Sequence, residues 1–379
     1  MKPPFVFQSS ALCLAALGSP AHAQNNVTLY GIIDTGIAYV HNSGGHSTQI
    51  TTMSGSLAGS RWGLKGNDDL GGGLKAIFQL ENGFDPTNGT LGQNSRMFGR
   101  QAYVGLSDEK LGTLTLGRQY DPIVDQVQPL TGDNYFGAIF APPGDFDNYD
   151  NSIRINNSVK WVSPSWGGVT VEALYSFGGV AGSTGSGLTY SASAGYNNGT
   201  LGIAAGYMHI DYGNARLVTT RPASSADSLF NSSVNSAYAS ARSVNSTRVG
   251  GQYVLGSVTL GAAYSFTEYN PDASSTFTSS EKYQNASAFG IWQVAPNISL
   301  GAGYNYTKTS GDSSAKYHMF SLGADYNLSK RTDVYAIAGY THASGQNGAG
   351  EAQAVVGSYD IDAGKSSQVI TVVGLRHSF

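Results

Sequence analysis

The chain has 379 residues, of which 40% are hydrophobic and only 12% charged, with 50 glycines, 23 tyrosines and a formal net charge of −4. An ordinary soluble domain carries about 25% charged and about 45–50% apolar residues, so this chain is short of charge without being rich in apolar residues. There is no basic footprint for nucleic acid, an aromatic content of 11% argues against disorder, and no stretch past the N-terminus approaches the roughly 18 apolar residues of a spanning helix.

Lys2, the apolar run 11–18 (ALCLAALG) and Ala21-His22-Ala23 read as an export signal: a positive start, an apolar stretch too short to span a bilayer, and an A-x-A cleavage site. Residues 1–23 are expected to be removed, leaving 24–379 as one domain. The only cysteine, Cys13, falls inside this leader. The remaining chain has no thiol, which suits an oxidising compartment.

Sixteen segments then alternate with period two. They lie near 27–40, 57–66, 72–82, 96–107, 111–119, 153–163, 167–177 and 187–197, and again near 200–211, 243–256, 257–269, 283–294, 297–309, 315–328, 331–342 and 367–379. Short turns alternate with long connections at 41–56, 83–95, 120–152, 212–242 and 343–366, which are rich in Ser, Asn, Gly and Asp. An even strand count, short turns at one end and long loops at the other predict an all-β fold, a transmembrane antiparallel 16-stranded β-barrel.

Five segments repeat one pattern. Val169-x-Val171-x-Ala173 leads to Tyr175, and the same spacing leads to Tyr207, Tyr264, Tyr304 and Tyr340. Apolar residues at every second position spread around a helix but line one face of a strand. The five tyrosines are therefore expected at one height, as a girdle at the membrane interface. A soluble β-sandwich would share the stripe but would give no reason for the repeated height. Phe379 ends the chain on the face of Val373, Leu375 and His377. It looks like the C-terminal assembly signal read by the barrel-insertion machinery.

Longer motifs carry a resemblance. They are Val27-Thr-Leu-Tyr-Gly-Ile-Ile-Asp34, Ser60-Arg-Trp-Gly-Leu-Lys-Gly66, Asp69-Leu-Gly-Gly-Gly-Leu-Lys-Ala-Ile-Phe-Gln-Leu-Glu81, Phe98-Gly-Arg-Gln-Ala-Tyr-Val-Gly-Leu-Ser107, Gly112-Thr-Leu-Thr-Leu-Gly-Arg-Gln-Tyr-Asp-Pro122, Asn156-Asn-Ser-Val-Lys160 and Gly374-Leu-Arg-His-Ser-Phe379. Together they resemble the trimeric general-diffusion porins of Gram-negative bacteria, in the β-proteobacterial branch. The resemblance implies a homotrimer in the cell outer membrane, surrounded by lipid and lipopolysaccharide. Its water-filled lumen would pass ions and small hydrophilic solutes passively. It also implies a third external loop folded into the pore, its acids facing basic residues on the opposite wall. The histidines fall in no catalytic motif, so no enzyme, cofactor or metal site is expected.

Strand parity assigns the charges. Trp62 and Leu64 take the lipid face, which turns Arg61 and Lys65 inward. Tyr103 is expected to face out, turning Arg100 and Arg96 in; Val159 and Trp161 facing out place Arg154, Asn156, Ser158 and Lys160 in. Lys75, Gln79 and Glu81 alternate with Ala76, Phe78 and Leu80 and are expected in the lumen. Arg61, Arg100 and Arg154 also match the family's wall-arginine positions. Arg118 shares parity with Leu114 and Leu116 and is expected at a subunit contact.

The segment 120–152 has six aspartates and no Lys or Arg. Asp121 and Asp125, with Asp133, are the expected constriction acids; for Asp145, Asp147 and Asp150 the sequence leaves open the alternative of solvating the loop's return. Ion preference stays open, because wall arginines favour anions while the acidic loop and net charge favour cations.

Overall fold

The computed structural model describes residues 26–212 and 229–379; the expected export segment lies outside them. The alternating segments form strands β1 (Asn26–Ser43), β2 (His46–Ser54), β3 (Arg61–Gly71), β4 (Leu74–Gly83), β5 (Gln101–Asp108), β6 (Gly112–Gln119), β7 (Ile155–Val162) and β8 (Val169–Ser176). They continue as β9 (Thr189–Asn197), β10 (Leu201–Asp211), β11 (Ser243–Leu255), β12 (Val258–Asn270), β13 (Glu281–Ala295), β14 (Ile298–Ser310), β15 (Lys316–Asn327), β16 (Thr332–Ser344) and a C-terminal strand, Ser367–Ser378. Each pairs antiparallel with its sequence neighbour, and β1 pairs with the C-terminal strand from Ile32↔Ser378 to His41↔Val369, closing the ring. β2 and β3 pair with successive halves of β1 and share one place, so the barrel is a closed 16-stranded one.

Two expected boundaries move. Most of 41–56 is strand: the chain turns at Gly44 and Gly45, both at positive φ (57° and 83°), and returns as β2. The irregular piece is instead 55–60. There the Asp34 carboxylate accepts hydrogen bonds from the backbone N–H groups of Leu57 (2.7 Å) and Ala58 (2.8 Å), satisfying donors that a continuous strand would have paired across the sheet. The second shift is at β5, which begins at Gln101 rather than 96, leaving Arg96 and Arg100 on the preceding loop.

The buried apolar clusters lie between inward-folded loops and the wall. The segment 120–154 folds into the lumen and buries Ile123, Val127, Leu130, Phe136, Ile139 and Phe140 against the inner face of β9–β16. Each such side chain contributes about 1.5–3 kcal/mol relative to exposure. Glycines make the room. The Phe136 ring lies against Gly301 of β14 and Gly323 of β15, and a Cβ at either would stand 2.3 Å from the ring.

Residues 345–366 also turn inward and lean on this loop. The Gly144 N–H donates to the Gly357 carbonyl (2.8 Å), and the Ser358 N–H to the Ala138 carbonyl (3.1 Å). Outside, Leu322 and Val373 are among the most exposed apolar side chains, both 61% accessible, as a lipid-facing surface requires.

Candidate functional site between the inner loop and the barrel wall

On the wall formed by β3–β5, inward parity brings Lys65, Gln79, Glu81 and Tyr103 to one face, and Lys75 lies further along it. Glu81 is the hub. Its carboxylate accepts from Tyr30 Oη (2.8 Å), Tyr120 Oη (2.9 Å) and Arg100 Nε (2.7 Å). Gln79 donates to Tyr30 Oη (2.6 Å) and accepts from Tyr103 Oη (2.8 Å), while Lys65 lies over the Tyr30 ring at 5.2 Å. Tyr103 thus faces in, contrary to expectation. Val104 and Leu106 are the exposed apolar stripe of β5, and the amphipathic tyrosine belongs to the polar side.

Arg100 reaches the lumen for a different reason than parity. It precedes β5, and its Nη2 donates to Tyr120 Oη (2.7 Å). Arg154 precedes β7 and stands 5.4 Å from the Tyr120 ring, with Arg100 at 5.7 Å, so Tyr120 lies beside two guanidinium groups. Arg61 begins β3 and is held by the Gly59 carbonyl (2.9 Å). Arg61, Arg100, Arg154 and Arg376 line one polar cavity of about 330 Å³, with Asp133 and Asp150 of the inner loop in the same lining. Arg96 does not join them; it stays on loop 84–100 and donates to the Gln93 carbonyl (2.9 Å). Lys160 pairs with Asp125 and donates to the Tyr120 carbonyl (3.2 Å). Asp125 belongs to a second cavity, of about 300 Å³, with Thr170 and Glu172.

Of the expected loop acids, Asp121 plays another part. It is 1% exposed and caps the helix Pro122–Val127, accepting from the N–H groups of Ile123 (2.8 Å) and Val124 (3.3 Å), with Asn148 on its other oxygen (2.8 Å). A cap's oxygens are directed at backbone donors and are lost to the pore. Asp133 accepts from Gln128 (2.9 Å) and Thr131 (2.5 Å); burial, then the nearby Asp150 charge, pushes its carboxyl up to about 8.

Asp145, Asp147 and Asp150 do not solvate the loop's return. Asp145 accepts from the Asp150 N–H (2.8 Å) and Ser152 Oγ (2.5 Å), and burial raises its pKa. Ser358 donates to Asp150, whose pKa burial also raises. Asp147 meets Arg248 of β11, whose Nη2 donates to the Asp147 carbonyl (2.7 Å) while its guanidinium covers the Tyr149 ring at 4.6 Å. Arg248 and Arg376 are readable by parity, since Thr247 and Val249, and Leu375 and His377, are their outward neighbours.

Asn156 departs from the expected parity. Asn157 has φ 50° and the β6–β7 register shifts between Gly117 and Gln119, so Asn156 meets Arg118 on the outer face, its Oδ1 accepting from Arg118 Nη1 (2.6 Å). Arg118 also donates to the Gly99 carbonyl (2.7 Å) and is 8% exposed, so loop 84–100 of its own chain covers it.

The Gram-negative porin family model matches residues 9–346 of this sequence. The chain belongs to the Gram-negative porin family. An outer membrane porin protein of Bordetella pertussis is 31% identical over 377 residues, covering 87% of this chain and 92% of that protein. Among solved structures, an anion-selective porin from Comamonas acidovorans superposes with a TM-score of 0.74 at 24% identity, covering 94% of this chain and all of that one. OmpT of Vibrio cholerae, solved in a trimer form, gives 0.65 at 18% identity, covering 94% and 99%. This porin is accordingly a passive diffusion channel of the outer membrane, not an enzyme.

The porin's outer face carries the five repeated tyrosines. Tyr175, Tyr207, Tyr264 and Tyr340 are exposed and Tyr304 is half-buried. Tyr304, Phe320 and Tyr340 pair directly across β14–β16, with Tyr304 and Phe320 ring centroids 4.8 Å apart. Phe379 exchanges both backbone hydrogen bonds with Gly31 at 3.0 Å.

Proposed function

We propose that this porin filters solutes at the section where Arg61, Arg100, Arg154 and Arg376 face Asp133 and Asp150, and that the filter favours anions. The observation carrying this reading is the cavity lining of four guanidinium groups against two carboxyls. One of the two, Asp133, is held largely protonated near neutral pH. Fixed charge in a low-dielectric constriction concentrates counter-ions and repels co-ions. The anion-selective description of the Comamonas structure agrees with this sign.

Lys160 and Asp125 belong to a neighbouring, charge-balanced section, and Lys65, Lys75, Gln79 and Glu81 to the polar wall beneath. The assembly is a homotrimer exported by residues 1–23, inserted through Phe379 and surrounded by lipid and lipopolysaccharide. The Vibrio trimer form supports the trimer.

Purified protein in a planar bilayer should open in ohmic steps grouped in threes. In a KCl gradient its reversal potential should have the sign of chloride preference. Arg61→Glu and Arg100→Glu should each move that potential toward cations. A cation-selective wild type, or unchanged potentials in both variants, would refute the filter.

A further inference from the structure

The irregular bend at 55–60 hangs on a single residue of β1. At its ends, the Gly55 N–H and the Ser60 hydroxyl both donate to the Asp34 carbonyl (2.9 and 3.0 Å), and the Asp34 N–H donates to Ser60 Oγ (3.1 Å). At its centre, the Leu57 and Ala58 N–H groups share one oxygen of the Asp34 carboxylate, while Tyr335 Oη of β16 donates to the other at 2.6 Å. Asp34 is wholly buried. Arg376, directly opposite it on the C-terminal strand, turns instead to Asp333 (3.0 Å) and Asp325 (3.8 Å), so among the described residues no cation pairs with Asp34. A buried carboxylate is costly unless hydrogen bonds hold it, and here all of them come from the bend and from Tyr335.

The bend in turn touches both sides of the arginine cavity. Its Ser56 carbonyl accepts from the Ala138 N–H of the inner loop (3.2 Å), and a Cβ on Gly137 would stand 2.2 Å from that oxygen, so the loop abuts the bend. Its Gly59 carbonyl accepts from Arg61 Nε (2.9 Å), and a Cβ on Gly59 would stand 3.1 Å from Arg100 Nη1. Gly55, Leu57, Ala58 and Gly59 themselves line the cavity.

We propose that Asp34 is a positioning residue of the ion filter. By fixing the bend it sets where the inner loop stops and where Arg61 points, and so the width of the charged section. Its carboxylate acts through backbone donors and does not meet the permeating ion. A functional constellation works only while supporting contacts hold it to within about 0.5 Å, and here one side chain supplies that support to the acidic loop and the basic wall together. The inference rests on the arginine section being the filter.

Thiol accessibility and ion selectivity test it. Past Cys13 the chain has no cysteine, so Ala138→Cys reports on the loop beside the bend alone. In that background Asp34→Ala should speed modification by a neutral methanethiosulfonate at least about tenfold and lower the chloride-to-potassium permeability ratio at least about twofold. Tyr335→Phe should move both in the same direction by less. Asp34→Asn, whose amide oxygen can still accept from both N–H groups, should retain the values of the Asp34 parent. Equal departures in Asp34→Asn and Asp34→Ala would assign the effect to the carboxylate's charge and overturn the proposal. Parental values in Asp34→Ala overturn it too; if that variant does not assemble, parental values in Tyr335→Phe do the same. The thiol rate reads loop position whatever the sign of selectivity. Failure of the filter, a cation-selective wild type, is therefore told apart from failure of this inference, an unchanged thiol rate.

Discussion

At the scale of single residues, strand parity reaches only as far as the strand. Arg61, Lys65, Gln79, Glu81 and Lys160 lie inside strands, and alternation alone turns them inward. Arg100 and Arg154 lie just outside, and what aims them is Glu81 and the Tyr120 ring, contacts between residues 19 to 39 positions apart that no local pattern encodes. Asn156 was misplaced by one residue, Asn157, whose left-handed backbone shifts the register. Asp121 was misread because a carboxylate before Pro122 serves a helix start as readily as a pore.

Asp133 supplies a pH prediction. Its carboxyl, raised to about 8 by burial and by Asp150, is neutral below that pH and charged above it. Ionisation adds a negative charge across from the arginines, so chloride preference should fall as pH rises through about 8. The reversal potential recorded between pH 6 and 9, values chosen to bracket that point, should show this step, and Asp133→Asn should flatten it. The same shift makes folding bind a proton that the unfolded chain releases near pH 4. The contribution to stability is thus full below about 4 and lost as pH climbs through about 8.

At the scale of elements, the strands were legible and the seat of the inner loop was not. A glycine inside an alternating segment reads as a small lumen residue. Only the fold reveals that Gly301 and Gly323, more than 160 positions from Phe136, are the space its ring occupies. Gly323→Val should overpack that space at a cost of about 1–3 kcal/mol, charged to the loop and not to the barrel. Limited proteolysis should then cut within 120–154 while the barrel keeps its heat-resistant gel mobility, and single-channel recordings should become noisier. A quiet, protease-resistant Gly323→Val channel would show that the loop's seat lies elsewhere.

At the scale of the whole molecule, closure depends on two chain ends that meet at Gly31 and the C-terminal residue. A Cβ on Gly31 would stand 2.3 Å from the Phe379 ring, so Gly31→Val should unseat the terminal aromatic. Surface labelling should find less folded barrel in the outer membrane, in the same direction as deletion of Phe379; an undiminished yield would separate ring seating from assembly. The composition also follows from the architecture. Small residues fill the lumen side where the loop docks, apolar ones the lipid side, and much of the sparse charge gathers on the facing wall and loops. The glycine-lined half therefore has an evolutionary consequence. Substitutions there are coupled to the loop, since any added atom displaces it, so that half of the lumen is closed to drift. Divergence in what the pore admits is left to the arginine half, where a guanidinium can be exchanged at the cost of its hydrogen bonds and not of the loop's seat.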